Sequence, residues 1–119
     1  MKALPKDDNL IVSLTFKFAI STIAYVEQLE TERKYVLARQ LLKSGTSIGA
    51  NVYEAQNAES KSDFIHKMKI AAKEADESSY WLELCKQAPG YPDPGILQEK
   101  LNTIMKILNR IVATSKRNG

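Results

Sequence analysis

The sequence has little of the residue types on which disulfide scaffolds and metal centres depend. Its 119 residues include one cysteine, Cys85, and one histidine, His66. A single cysteine excludes an intrachain disulfide and a cysteine-based metal knuckle. Cys85 falls within the apolar stripe of a predicted helix, so we expect a buried thiol that packs as a small hydrophobic side chain.

Phosphate loops and long apolar runs are also missing. Gly45 and Gly49 lie within a continuous helical pattern and lack the lysine that follows a phosphate loop. Residues 1–8 contain no signal-peptide hydrophobic region, and Lys17 interrupts the first apolar stretch. We therefore expect a cytoplasmic protein that makes no contact with a membrane.

The composition, with 44% hydrophobic and 26% charged residues, predicts one globular domain over residues 1–119. Three turn-like breaks divide it into four segments. They lie at residues 30–34, 58–62 and 89–94. Ser60 or Ser62 is expected to cap the helix after the second break, and Asp93 to cap the helix that starts at Pro94.

Each segment has the apolar spacing of an amphipathic helix, and no strand-like alternation competes with it. Because the connections are short, we expect an all-α, antiparallel, up-down-up-down four-helix bundle. The predicted core stripes are Leu10, Leu14, Phe18, Ile23 and Leu29; Leu37, Leu41, Gly45, Ile48, Val52 and Ala55; Phe64, Met68, Ala71, Ala75, Ser78, Leu82 and Cys85; and Leu97, Leu101, Ile104, Leu108 and Ile111.

The second predicted helix carries a further row of apolar and small residues beside its core stripe. This row consists of Leu42, Thr46, Gly49 and Tyr53. Gly45 and Gly49 would each cost about 1 kcal/mol relative to alanine within a helix, which the close approach of another backbone would explain. That backbone belongs either to the same subunit or to a neighbouring one, and both alternatives are open at this stage.

The third predicted helix favours a neighbouring subunit. Rotated away from its core stripe lies a mixed row, Ile70, Glu74, Glu77, Trp81 and Leu84. Unpaired carboxylates do not belong in a core, whereas an anchoring tryptophan with flanking charges suits an interface. The alternative is a solvated face with one stray tryptophan. We therefore predict self-assembly.

Two stretches of the chain strongly resemble one known family. They are Thr46-Ser-Ile-Gly-Ala-Asn-Val-Tyr-Glu54 and Ser62-Asp-Phe-Ile-His-Lys-Met-Lys-Ile-Ala-Ala-Lys-Glu-Ala-Asp-Glu77, followed by Tyr80-Trp-Leu-Glu-Leu84. They resemble the four-helix-bundle proteins encoded in intervening sequences of 23S rRNA genes. Where that family usually has glycine after Glu54, this chain has Ala55, which predicts a helix that continues further before it turns.

The resemblance implies an antiparallel four-helix subunit and a homopentameric ring. It also implies similarity to the accessory variability determinant protein of diversity-generating retroelements, which binds nucleic acid and a reverse transcriptase through basic surfaces. Most family members have no established activity. The resemblance therefore implies an assembly more directly than a function.

Several polar residues are candidates for structural or chemical roles. Asn51 and Glu54 match the family motif and are expected to hydrogen-bond the next helix or subunit. Asp63 and His66, three residues apart, faintly resemble the ligands of carboxylate-bridged metal bundles, but those sites need a second copy of the motif and further glutamates. Because His66 and Cys85 lie far apart along one helix, catalysis by them is not expected. No cofactor or metal is predicted.

Basic residues are concentrated in the second and fourth predicted helices. No acidic residue occurs between Arg33 and Tyr53 or after Glu99. The basic residues expected to bind nucleic acid are Arg33, Lys34, Arg39, Lys43, Lys106, Arg110 and Arg117, with Lys100 and Lys116 nearby. A solvated basic surface is the alternative, since a formal net charge of +3 is modest.

These observations predict a non-enzymatic homo-oligomer, a pentamer by the resemblance, that binds RNA, DNA or a nucleoprotein through basic surfaces. Its predicted subunit-interface residues are Gly45, Gly49, Asn51, Tyr53, Glu54, Glu74, Glu77 and Trp81. The alternative function is a scaffold that engages another protein, such as a reverse transcriptase, and for which the positive charge is incidental.

Overall fold

This computed structural model describes residues 9–118 of the chain. They form four α-helices joined by three connections. The helices are α1 (Leu10–Thr31), α2 (Tyr35–Ala55), α3 (Lys61–Gln87) and α4 (Gly95–Arg117). No strand occurs in that range. The all-α class is confirmed, and each predicted break overlaps a connection between helices. The prediction for residues 1–8 lies outside the described part of the chain.

The start of α3 is fixed by two hydrogen bonds from backbone amides to side chains. Ser60 Oγ accepts from the backbone amide of Asp63 at 3.0 Å, and Asp63 Oδ2 accepts from the amide of Glu59 at 3.3 Å. The first bond satisfies an amide that the first helical turn leaves without a partner, and the second ties Glu59, the residue before the cap, to the same turn. Of the two predicted caps, Ser60 is therefore the one observed.

Two predicted helix ends are displaced. α4 begins at Gly95, one residue later than expected, because Pro94 has a non-helical backbone and Asp93 Oδ1 instead accepts from the Gly95 amide at 2.9 Å. The expectation that α2 continues beyond Ala55 is wrong. α2 ends at Ala55, and Gln56 is its carboxyl-terminal cap.

The helices contact one another in the cyclic order α1, α2, α3, α4 and back to α1. Across the diagonals, between α1 and α3 and between α2 and α4, no Cα atoms of the described helices lie within 8 Å. The longest dimension is 47 Å, close to the length of about 40 Å expected for the 27-residue helix α3. Side chains from all four helices meet along the central axis.

The core confirms the predicted stripes of α2, α3 and α4, with Leu37, Phe64 and Ile111 half-buried at their edges. Cys85 is buried, as predicted. The stripe predicted for α1 is partly wrong, because Leu10 and Ile23 are exposed. The buried residues of α1 are Ile11, Val12, Thr15, Phe18, Thr22, Tyr25, Val26 and Leu29.

Two threonines occupy core positions of α1 because their hydroxyls are satisfied within the helix. Thr15 Oγ1 donates to the carbonyl of Ile11 and Thr22 Oγ1 to that of Phe18, each at 2.8 Å. Bonding to the preceding turn removes the cost of burying the hydroxyl.

α1 is also long and apolar enough to cross a membrane by length and composition alone, but eight of its side chains are buried in the bundle.

Candidate subunit and nucleic-acid surfaces

An apolar groove runs along the outer surface between α1 and α2. It has a volume of about 360 Å³. We call it the α1–α2 groove, and it is lined by Val12, Phe16, Ala19, Thr46, Gly49, Ala50 and Tyr53. Three of these residues belong to the second apolar row predicted for α2. The folded chain therefore leaves that row open to its surroundings.

The α1 side of this groove was missed by sequence reasoning. Phe16 is 44% exposed, and Ile20 and Ile23, which follow it at helical spacing, are 56% and 41% exposed. α1 is apolar around most of its circumference, so its periodicity does not show which side is buried. Together with Leu42 of α2, 38% exposed, these side chains extend the apolar surface beyond the groove.

The two glycines of α2 are explained by contact with α1 of the same chain. A Cβ atom on Gly45 would lie 2.8 Å from Thr22 Cγ2, and one on Gly49 would lie 3.1 Å from the backbone oxygen of Thr15. Gly45 is buried, so its missing side chain serves packing within the chain. Gly49 serves that packing and also lines the α1–α2 groove.

Asn51 and Glu54 form their side-chain bonds within the chain. Asn51 Nδ2 donates to the carbonyl of Ser47 in its own helix at 2.9 Å, which differs from the expected bond to another helix or subunit. Glu54 Oε1 accepts from Lys67 Nζ at 3.0 Å and so joins α2 to α3. That contact raises the pKa of the Lys67 ammonium. Tyr53 lines the α1–α2 groove.

The mixed row predicted on α3, here called the Trp81 row, lies on the side of α3 that faces α2. The Glu54–Lys67 contact identifies this side, because Ile70, Glu74, Glu77, Trp81 and Leu84 continue from Lys67 at helical spacing. Trp81 is half-buried and packs against the edge of the core. Its Nε1 donates to Glu77 Oε2 at 3.2 Å, and the Tyr80 ring meets it edge-on at 5.2 Å.

The predicted basic residues of α2 occupy two different places. Arg33 is exposed in the turn between α1 and α2 with φ of 63°, and Lys34 Nζ lies 4.9 Å from the centre of the Tyr91 ring. Lys34 thus ties this turn to the connection between α3 and α4 through a cation–π contact. Arg39 and Lys43 are exposed on α2 itself, and in the sequence they precede and follow Leu42.

The predicted basic residues of α4 form a separate surface on the opposite side of the bundle. Lys106, Arg110 and Arg117 are exposed and recur at the spacing of one helix face. Since α2 and α4 lie across a diagonal of the bundle, their basic tracts do not form one continuous surface on the chain.

Lysines from two neighbouring helices extend the basic surface of α4. Lys100 Nζ donates to Ser21 Oγ of α1 at 3.0 Å, and Lys17 lies one helical turn from Ser21. On the other side, the positive charge of the nearby Lys116 lowers the pKa of the Lys69 ammonium on α3. Sequence reasoning did not find Lys17 or Lys69 because their proximity to α4 depends on helix packing.

Ion pairs do not compensate this positive charge. Within residues 9–118 the one ion pair joins Lys67 to Glu54, on the α2–α3 side. Over the same residues, no group of three or more histidine, cysteine, aspartate or glutamate side chains is placed to hold a metal ion. Asp63, which together with His66 resembles a metal-ligand pair in the sequence, instead forms hydrogen bonds at the amino-terminal cap of α3.

Comparison with known proteins identifies the family. The family model described as "23S rRNA-intervening sequence protein" matches residues 7–112. This chain belongs to the 23S rRNA-intervening sequence protein family. The resemblance noted in α2 and α3 is thereby confirmed, and the match extends through α1 and most of α4.

One solved structure similar to this member of the 23S rRNA-intervening sequence protein family is a protein of unknown function from the S23 ribosomal protein family of Bacteroides thetaiotaomicron VPI-5482, determined at 1.70 Å resolution. The two chains share 37% sequence identity with a TM-score of 0.81, over 86% of this chain and 97% of the other. No curated protein matches this chain. The comparisons therefore establish the family and the fold. A function has to be inferred from the surfaces of the chain.

Proposed function

We propose that this chain is the subunit of a non-enzymatic homo-oligomer that binds nucleic acid, or a nucleoprotein, through the basic surface of α4. The observation that carries the proposal is the charge of α4 after Glu99, which is exclusively basic. Its lysines and arginines have no ion-pair partner within residues 9–118. Such a surface suits a phosphate backbone, which is recognised through charge without regard to sequence.

The subunit is proposed to be an antiparallel, up-down-up-down bundle. Contacts between neighbouring helices support this topology, because residue numbers fall along one helix as they rise along the next. Ser44 meets Ser78 and Glu54 meets Lys67 across α2 and α3. Gly49 and Gly45 lie against Thr15 and Thr22 of α1.

Assembly is proposed because the α1–α2 groove and the neighbouring exposed side chains leave a large apolar surface on one subunit. Five copies are the number that the family resemblance implies. The formal charge would then total +15, five times +3. A ring would repeat the basic surface of α4 around its axis and strengthen the attraction for a polyanion. We place the assembly in the cytoplasm.

A matched pair of double variants tests the nucleic-acid proposal. Lys106→Gln with Arg110→Gln removes two exposed charges from α4, and Lys73→Gln with Lys86→Gln removes two from α3. We expect fluorescence anisotropy on labelled RNA and DNA to show binding that weakens steeply with salt. The α4 variant should reduce the salt slope by about 0.9 for each duplex phosphate that it no longer neutralises, or about 0.7 on a single strand. The α3 variant should leave the slope unchanged.

Two outcomes would contradict the proposal. Equal effects of the two variants would place binding outside α4. An absence of binding to any nucleic acid at low salt would instead favour a protein-interaction scaffold, with a reverse transcriptase or another protein as its partner.

A further inference from the structure

Two surfaces of this subunit have complementary character and lie on different sides of α2. The α1–α2 groove is apolar, and Arg39 and Lys43 lie on the α2 helix that forms one of its walls. The Trp81 row, between α2 and α3, combines aromatic and aliphatic side chains with two carboxylates. Neither Glu74 nor Glu77 forms an ion pair within the described part of the chain.

We propose that the α1–α2 groove of each copy receives the Trp81 row of the next copy, with Arg39 and Lys43 facing Glu74 and Glu77 across the contact. This inference rests on the self-assembly in the proposed function and specifies which surfaces meet. It also assigns Arg39 and Lys43, predicted from the sequence to bind nucleic acid, to the subunit interface.

The apolar parts of the two surfaces match in kind. Trp81 is half-buried and Tyr80 is 59% exposed on α3, so both rings have area left to bury. A buried aromatic side chain covers roughly 150–250 Å², and such residues dominate the binding energy of interfaces when they enter a pocket. The groove, at about 360 Å³, offers a concave apolar surface of suitable size.

The charges select this pairing over a symmetric one. From Lys34 to Val52 the chain carries basic and no acidic residues. Groove against groove would bring together two surfaces whose flanking charges are positive, and row against row two surfaces that carry carboxylates. Both symmetric contacts join surfaces of like charge, whereas groove against row joins surfaces of opposite charge.

A contact between two different surfaces is heterologous and leads from one copy to the next. Such contacts form a closed ring when the rotation between copies closes. Because the two surfaces lie on either side of α2, the ring has α2 at the contact and α4, diagonally opposite, away from it. The basic surface of α4 therefore stays free to meet a polyanion.

Two complementary defects test the pairing directly. Phe16→Glu places a charge in the groove, and Ile20→Glu does the same on the apolar surface beside it. Glu74→Lys with Glu77→Lys reverses the charge of the Trp81 row. Phe16 and Ile20 lie outside the core with about half of each side chain exposed, so the fold should survive, which circular dichroism checks. We expect each variant to be monomeric by light scattering. An equimolar mixture should form a heterodimer of two chains and nothing larger, because one intact groove meets one intact row.

Charge reversal supplies the control and the rescue. Asp76→Lys makes the same kind of change at the exposed residue beside Glu77, on another side of α3, and should leave the oligomer intact. Adding Arg39→Glu and Lys43→Glu to the row-reversed chain should restore the wild-type mass. Trp81 is the single tryptophan of the chain, so its fluorescence should shift to the red when the oligomer dissociates.

The pairing would be overturned if both defective variants kept the wild-type mass, or if their mixture stayed monomeric. A wild-type chain that is itself monomeric would overturn the assembly in the proposed function as well. Nucleic-acid binding is measured separately through the α4 variants, so its failure would leave the pairing standing.

Discussion

Packing between α1 and α2 depends on the absence of a side chain at Gly45. A methyl group there would lie 2.8 Å from Cγ2 and 3.1 Å from Oγ1 of Thr22. Thr22 is fully buried, and its hydroxyl donates to the carbonyl of Phe18 at 2.8 Å, which holds the side chain in place. Gly45→Ala therefore forces either Thr22 out of its rotamer or the two helices apart.

Two opposing effects set the magnitude of this change. Overpacking a core typically costs about 1–3 kcal/mol, whereas replacing a helical glycine by alanine contributes about 1 kcal/mol of stability. We expect Gly45→Ala to lower the free energy of unfolding by about 1 kcal/mol. Thr22→Ala removes both close atoms and leaves Thr22 Cβ as the nearest neighbour, at an ordinary 3.4 Å. In that background Gly45→Ala should become stabilising.

Chemical denaturation of the four members of this mutant cycle measures the coupling between the two positions. The midpoints should be compared at one protein concentration, because assembly adds to apparent stability, and with unchanged denaturant slopes. We expect a coupling free energy of about 1–3 kcal/mol. Equal destabilisation by Gly45→Ala in both backgrounds would refute the proposed contact with Thr22.

Two further predictions concern buried hydrogen bonds. Ser78 Oγ donates to Ser44 Oγ at 2.8 Å between α3 and α2; Ser44→Ala alone should cost about 1–3 kcal/mol by leaving a buried hydroxyl unpaired, and the double alanine variant should cost less in thermal unfolding. The hydroxyl of Tyr25 donates to the Pro92 carbonyl at 2.6 Å. Burial of this hydroxyl, and to a smaller extent the neighbouring Cys85 thiol, raise the pKa of Tyr25. The unfolded chain loses this proton near pH 10 while the folded chain keeps it, so stability should fall as pH rises above about 10. Tyr25→Phe should cost about 1 kcal/mol at neutral pH and weaken that alkaline decline, which denaturation at several pH values checks.

The helices of this protein could be read from sequence because each connection has its own local chemistry. Ser60 with Asp63 starts α3, and Asp93 with the prolines around it separates α3 from α4. Apolar spacing identified the buried sides of α2, α3 and α4, since polar residues occupy their remaining faces. α1 was less predictable because exposed residues such as Phe16 and Ile20 are as hydrophobic as buried ones.

Composition and periodicity thus determined the four helices, most of the core, the buried Cys85 and the surplus apolar row on α2, since these depend on the residues of one helix at a time. Tertiary structure alone decided that Gly45 packs on Thr22, that Lys17 and Lys69 lie beside α4, and that the basic tracts of α2 and α4 are separated. These features depend on which helices are neighbours. Each helix has several sides able to accept a neighbour, and the choice is made only when all four bury their apolar surfaces together.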